Sequence, residues 1–301
     1  MVGIILINKP QNYTSFDIIA ILRKKLGEKK IGHMGTLDPM ATGVLPILLG
    51  STAKFQIFVP ENKKEYIAKI KFGIVTDTWD MHGKILSQNG SNVTKSQLEN
   101  ILINFKGSID QIPPMYSAIK QNGKKLCDLA RKGTVVERKP RKVFINDIEL
   151  IDFNQEIQEA TIKVGCSKGT YIRSLCFDIG NALGCGASMG DLCRTISNGF
   201  SIDESVDIEK IRNMEKSEII SRYILPTERL FSENKSVLID DVQERMFRNG
   251  ISLNLEYLET NLNADDNDKI IKIYNGKKFV GISKLIIKDN ILKFLKCENQ
   301  S

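Results

Sequence analysis

The chain opens on a continuous apolar run, GIILIN (residues 3–8), the pattern of a strand buried on both faces. The period then changes. Thr14 or Ser15 can supply an N-cap oxygen, and apolar residues follow at Ile18, Ile19, Leu22 and Leu26, one face of a helix that Gly27 stops. EYIAKIKF (65–72) alternates, with Tyr66, Ala68, Ile70 and Phe72 on one side and Lys69 and Lys71 on the other. That predicts a half-buried strand. SQLENILINFKG (96–107) returns to helical spacing, its stripe being Leu98, Ile101, Leu102 and Phe105. ATIKVGC (160–166) predicts another strand, SKGT (167–170) a turn, and the next helix carries Leu175, Cys176, Ile179 and Leu183. The two periods alternate without a regular βα rhythm, so the expected class is α+β.

Patterning loosens over LPTERLFSENKSV (225–237). Beyond it lie one short helix, DDVQERMFRNG (240–250), and the strand candidates KIIKIYN, KKFVGISKLII and ILKFLKC, joined by NGKK and KDN turns. The expected division is a large domain over 1–230 and a small β-rich domain over 236–301.

Composition narrows the classes. A hydrophobic share of 42% over 301 residues supports an ordinary buried core. No apolar run reaches the length of a membrane span. MVGIILINKP has no basic residue before its short apolar run and reads as a first strand rather than a secretory signal. Six widely spaced cysteines without a CxxC pair, and only two histidines, argue against a structural zinc site. Reduced thiols in a cytoplasm are the expectation. The net charge of +7 is modest, but the window from Lys120 to Lys142 holds nine Lys or Arg against Asp128 and Glu137, a net +7 by itself. Such runs are usually solvated faces. Concentrated in one half of the chain, they favour a phosphate-backbone partner.

The candidate chemistry centres on GHMGTLDPMATGVL (32–45), where turn-forming residues surround one carboxylate, Asp38. Pro39 biases Asp38 toward an extended conformation, and the glycines permit close backbone approach. Tyr66 and the pair Tyr171/Arg173 are the other candidates. Taken singly, each has a plainer reading: a structural loop acid, a packed aromatic, a surface charge. Arg173, however, falls at a helix start, where the dipole disfavours a cation, so an anionic partner is expected for it elsewhere. KGTYIR also sets an aromatic beside basic residues, a combination that suits stacking on a base while holding a phosphate.

In order, five segments resemble the motifs of the TruB-type pseudouridine synthases: INKPQNYTSFDII, GHMGTLDPMATGVLPILLG, KKEYIAKIKFGIVTDTWDMHG, IPPMYSAIKQNGKKLCDLARKG and CSKGTYIRSLCFDIGNALG. The likeness covers roughly residues 3–200, and KIYNGKKFVGIS resembles the small RNA-binding PUA module that follows the catalytic domain in that family. It implies a mixed-sheet catalytic domain that isomerises the uridine at position 55 in the T loop of tRNA to pseudouridine. Asp38 is then the nucleophile on a flipped-out base, attacking either the sugar or the uracil, and Arg173 its counter-charge. Tyr66 packs on the uracil and is the candidate to take the C5 proton. His33, Tyr171 and Leu192 fall where the family contacts the extruded nucleotide or the gap it leaves. The isomerisation calls for no cofactor and no metal. The expected partner is tRNA, engaged by a cytoplasmic monomer with no membrane attachment. Leu192-Cys193-Arg194-Thr195 departs from the family's Leu-Arg-Arg-Thr, which puts one basic contact in question. The rival readings are a non-catalytic RNA-binding or tRNA-folding protein and, more remotely, a metal-free hydrolase using Asp38.

Overall fold

The computed structural model describes residues 1–60, 64–121 and 123–298. Lys63 and Asn122, which fall inside two of the motifs above, lie outside the described residues.

The first strand, β1 (Gly3–Lys9), is buried almost throughout, as its unbroken apolar run requires. It leads into α1 (Ser15–Leu26). Thr14 caps this helix: its hydroxyl accepts from the Asp17 N–H while the Asp17 carboxylate accepts from the Thr14 N–H. At the other end Gly27 takes the left-handed conformation (φ 66°) and closes the last turn on the Arg23 carbonyl. The short β2 (Ile31–His33) and β3 (Thr42–Leu49) follow, joined by the Asp38 loop. β4 (Lys64–Phe72) turns Tyr66, Ala68, Ile70 and Phe72 inward, in keeping with its alternation. The second helix differs from its sequence reading. It starts one residue earlier, at Lys95, because Thr94 and Gln97 form its capping box, and after Leu102 it tightens into a 3₁₀ turn.

These elements build a mixed sheet of ten strands among the described residues. Its main path runs Val206–Asp207, β1, β3, Ala187–Ser197, β4, Glu159–Cys166, Arg141–Asn154, Gly107–Gln111. Parallel pairing occurs where β3 meets Ala187–Ser197 and where β1 meets Val206–Asp207. The other pairings on that path are antiparallel. One face carries the main core, in which α1, the helix Lys95–Leu102 and the helix Ile172–Ala182 cover Ile5, Ile7, Ala68, Ile70 and Ile162. The opposite face packs Leu6, Val44, Leu48 and Phe55 against Phe200 and Phe231, and against Phe279 and Ile282 of a second sheet.

That second sheet has five strands, ordered Ser236–Leu238, Ile270–Asn275, Lys278–Ile286, Ile291–Cys297, Leu253–Asn254, and a core of its own around Val237, Phe247, Ile273 and Leu292. Residues 225–231 are not a loose linker. Leu225 and Ile4 exchange backbone hydrogen bonds at 2.8 Å, and Leu230 and Phe231 are buried between the sheets. A short 3₁₀ segment has too few residues to show a period, which is why its packing is hidden in the sequence.

Candidate active site

Asp38 stands on the loop between β2 and β3, and each neighbour of that loop is tied down. Ser15 Oγ accepts from the Leu37 N–H at 3.0 Å and donates to the Leu37 carbonyl at 3.3 Å. Lys9, with no exposed surface, donates from Nζ to the carbonyls of Pro10 (2.9 Å), Tyr13 (2.8 Å) and Pro39 (3.2 Å). Arg194, also fully buried, donates from Nε to Val44 O (2.9 Å) and from Nη2 to Gly35 O (3.2 Å). Gly43 is obligatory: it has φ 107° and faces Arg194 across the parallel pairing, where a Cβ would lie 2.2 Å from the Arg194 carbonyl oxygen. Gly35 and Gly43 let this loop lie against the buried Arg194, and the Pro39 carbonyl meets the buried Lys9. One consequence is testable. Lys9→Met leaves the Pro10 and Tyr13 carbonyls without this donor, while the Pro39 carbonyl keeps the Asn12 N–H, and is expected to lower unfolding free energy by about 2–4 kcal/mol. Urea denaturation measures it, and an unchanged midpoint would remove Lys9 from the loop's support.

Across the cleft, Arg173 lies just inside the helix Ile172–Ala182, one residue past its first helical position and two past its N-cap Tyr171. Its side chain is 5% exposed, and it has the anionic partner that its unfavourable place at a helix start calls for. Nη2 lies 2.9 Å from Asp38 Oδ2, and Nη1 lies 3.6 Å from Asp80 Oδ2. The same guanidinium donates to Thr78 O (3.1 Å) and Tyr116 O (2.8 Å). The fork is therefore shared between two carboxylates rather than closed on one. The Asp80 side chain is 9% exposed and further held by the Thr78 hydroxyl (2.8 Å) and the His82 N–H (3.1 Å). The Asp38 side chain is 38% exposed and opens onto a cleft of about 530 Å³ walled by Phe16, Met40, Thr78, Tyr116 and Arg131. It is paired on one side and accessible on the other.

Tyr66 lies buried on β4, directly opposite Arg194 in the neighbouring strand, and is not among the residues that wall the Asp38 cleft. Burial raises its phenol above the usual tyrosine range, while the Arg194 guanidinium pulls the other way. Tyr171 is fixed through its backbone by Gln111, with Tyr171 N–H to Oε1 at 2.8 Å and Nε2 to Tyr171 O at 3.0 Å. Burial raises its phenol too, and the Asp38 charge pushes the same way. His33 is set apart from the ion pair. Its ring meets Phe16 edge-on at 5.8 Å, and its Nδ1 is buried without a hydrogen-bond partner among the described residues. Burial lowers its pKa, favouring the neutral ring. Leu192 belongs to the main core, opposite Ala68 on β4. Cys193, where the family's Leu-Arg-Arg-Thr pattern has a basic residue, pairs with Ile67 on β4 and with Thr42 at the start of β3.

Sequence reasoning did not single out Asp80, Lys9 or Arg194 for the site. Asp80 sits in TDTWDMHG, Lys9 in INKPQNYTSFDII and Arg194 in the Leu-Cys-Arg-Thr run. Only their burial shows what they hold. Among the described residues there is no His/Cys/Asp/Glu group that could hold a metal ion, and no helix long and apolar enough to cross a membrane.

The mixed sheet followed by a small β domain is a pseudouridine synthase fold. Two solved structures superpose over nearly the whole chain. A chain of a Cbf5-Nop10-Gar1 complex has a TM-score of 0.74 and 25% identity, covering 99% of this chain and 84% of that one. A chain of an H/ACA RNP bound to a substrate RNA containing 2'-deoxyuridine gives 0.73 and 22%, covering 98% and 84%. Two family models match in tandem: TruB family pseudouridylate synthase (N terminal domain) over residues 23–172, and tRNA pseudouridylate synthase B C-terminal domain over 173–232. Curated relatives include the tRNA pseudouridine synthase B of Clostridium tetani, 46% identical over 94% of this chain and 96% of its own length. That of Clostridium kluyveri is 43% identical over 94% and 95%. The chain belongs to the TruB family of pseudouridine synthases.

Proposed function

We propose that the chain isomerises the uridine at position 55 in the T loop of tRNA, with Asp38 as the nucleophile and Arg173 as its counter-charge. As a TruB-family enzyme it converts uridine to pseudouridine in tRNA. The position and the residue roles are the proposal. The observation that carries it is the 2.9 Å contact between Arg173 and an Asp38 that is still open to the cleft.

The chemistry detaches uracil from C1′, turns it and rejoins it through C5, with loss of the C5 proton. The target base must first leave its stack, at a cost of a few kcal/mol. Once the base lies over Asp38 and excludes water, the carboxylate is held ionised by the guanidinium, whose position is set independently by Asp80, Thr78 O and Tyr116 O. Tyr66 packs on the uracil. To take the C5 proton, its phenol must first give up its own O–H proton; burial disfavours the resulting phenolate, the Arg194 guanidinium opposite stabilises it, and receipt of the C5 proton restores the neutral phenol. His33 and Tyr171 hold the displaced nucleotide, and Leu192 backs the pocket from the core. No step calls for a cofactor.

Residues 1–230 form the catalytic domain in this reading, and residues 236–301 a PUA-like RNA-binding domain. The enzyme is a cytoplasmic monomer on tRNA. Its six unpaired cysteines suit a reducing compartment, and light scattering tests the monomer.

The RNA track follows the basic window, where Lys125 and Arg131 border the Asp38 cleft. Neutralising Lys124, Lys125, Arg131 and Lys132 is expected to weaken T stem-loop binding and to reduce the slope of log K against log salt by about 0.7–0.9 for each phosphate no longer neutralised. An unchanged slope rejects this surface as the track. The reading as a whole is tested by incubating T stem-loop RNA, tritiated at uridine C5, with the protein. Tritium release from position 55 supports it. Tight binding without release would favour the non-catalytic RNA-binding alternative.

A further inference from the structure

Phe16 is 70% exposed, although α1 buries the residues on either side of its turn, Ser15, Ile18 and Ile19. Exposure alone means little for a single apolar side chain. Its surroundings give it meaning. The ring stands in the wall of the Asp38 cleft, which the segment carrying Tyr116 and Arg131 also lines. It meets the His33 ring edge-on at 5.8 Å and an interplanar angle of 88°, so the two form an L-shaped aromatic shelf. Its backbone is fixed by the Thr14 cap behind it and by the hydrogen bonds between Ser15 and Leu37, one residue before Asp38. The ring is thus held in register with the nucleophile while most of its surface is left open.

A rigid, exposed aromatic beside the place where a base leaves its stack fits one ligand chemistry, an unpaired nucleobase. Every base presents a π-face, and an extruded uridine leaves its loop neighbours unstacked. We propose that Phe16 is a base-stacking residue, holding a loop nucleotide next to the extruded uridine and so selecting a single-stranded loop over a duplex. The proposal rests on the Asp38 cleft being the RNA site. The plainer role for Phe16 is to prop His33 from within the protein.

The experiment is a cycle of protein and RNA changes. T stem-loop RNAs carrying one abasic nucleotide at each loop position flanking the target are bound to the wild type, Phe16→Leu and Phe16→Tyr. Leu keeps the apolar bulk and removes the ring, and Tyr restores it. With intact RNA, Phe16→Leu is expected to bind about tenfold more weakly, the loss appearing in KM rather than kcat, and Phe16→Tyr to recover most of it. At one abasic position the wild type should lose the same factor and Phe16→Leu should lose nothing further. Additive losses at every position, or an intact-RNA affinity unchanged by Phe16→Leu, overturn the stacking role. His33→Ala with and without Phe16→Leu separates propping, which would make the two protein changes non-additive on every RNA. Failure of the underlying reading looks different: the wild-type protein would then bind T stem-loop RNA without releasing tritium from position 55, or would not bind it at all.

Discussion

Asp38→Asn is expected to abolish pseudouridine formation while leaving RNA binding within a few-fold of the wild type. The change keeps the shape of the side chain and removes the charge on which its proposed role as nucleophile depends. Loss of an attacking group costs at least ~10⁴-fold in turnover. The fold should tolerate it. Asp38 is the more exposed of the two carboxylates on Arg173, and the guanidinium keeps Asp80 and two backbone carbonyls. Single-turnover tritium release and filter binding measure the two halves separately. A variant retaining more than about a hundredth of wild-type turnover would overturn the assignment, because no amide substitutes for a carboxylate nucleophile at that level.

Arg173 carries the second large effect, and there stability and activity fall together. Removing the guanidinium in Arg173→Met leaves Asp80, its side chain 9% exposed, as a buried carboxylate whose remaining support is the Thr78 hydroxyl and the His82 N–H. Breaking such a pair from one side costs about 3 kcal/mol or more, since the orphaned charge stays desolvated. Turnover should fall by ~10³-fold as Asp38 loses both orientation and counter-charge. Arg173→Lys is a sharper probe. It keeps the charge, but a single ammonium on a flexible stem cannot serve two carboxylates and the carbonyls of Thr78 and Tyr116 together. Its melting temperature should therefore lie between those of wild type and Arg173→Met, with turnover still close to that of Met. If Lys restores turnover fully, the fork geometry is irrelevant and the site works by net charge alone.

The elements with a clean period were legible from the chain alone. Helix α1 follows from its apolar spacing and its cap residues, and β4 from a strict alternation, because each signal is local and needs no partner to be read. The long strands Arg141–Asn154 and Ala187–Ser197 gave no such signal. The first is mostly exposed beside an edge strand, and the second, ASMGDLCRTIS, mixes small, polar and charged residues. Its place in the middle of the sheet comes from the pairing with β3 and β4, and its bulges break the two-residue repeat. Asp80 was invisible for a related reason. Nothing in TDTWDMHG sets it apart from Asp77, and only the arrival of Arg173 from a distant helix distinguishes them.

The sequence by itself singled out a glycine- and proline-framed acid, a tyrosine opening a strand, and an arginine at a helix start where its charge is locally disfavoured. Tertiary structure alone decided that one guanidinium serves both Asp38 and Asp80, and that Lys9 and Arg194 pin the loop from beneath. Local pattern reports which face of an element is buried. It carries no record of which distant charge will be brought within hydrogen-bonding reach of it, because that depends on strand order and register fixed only by the whole core.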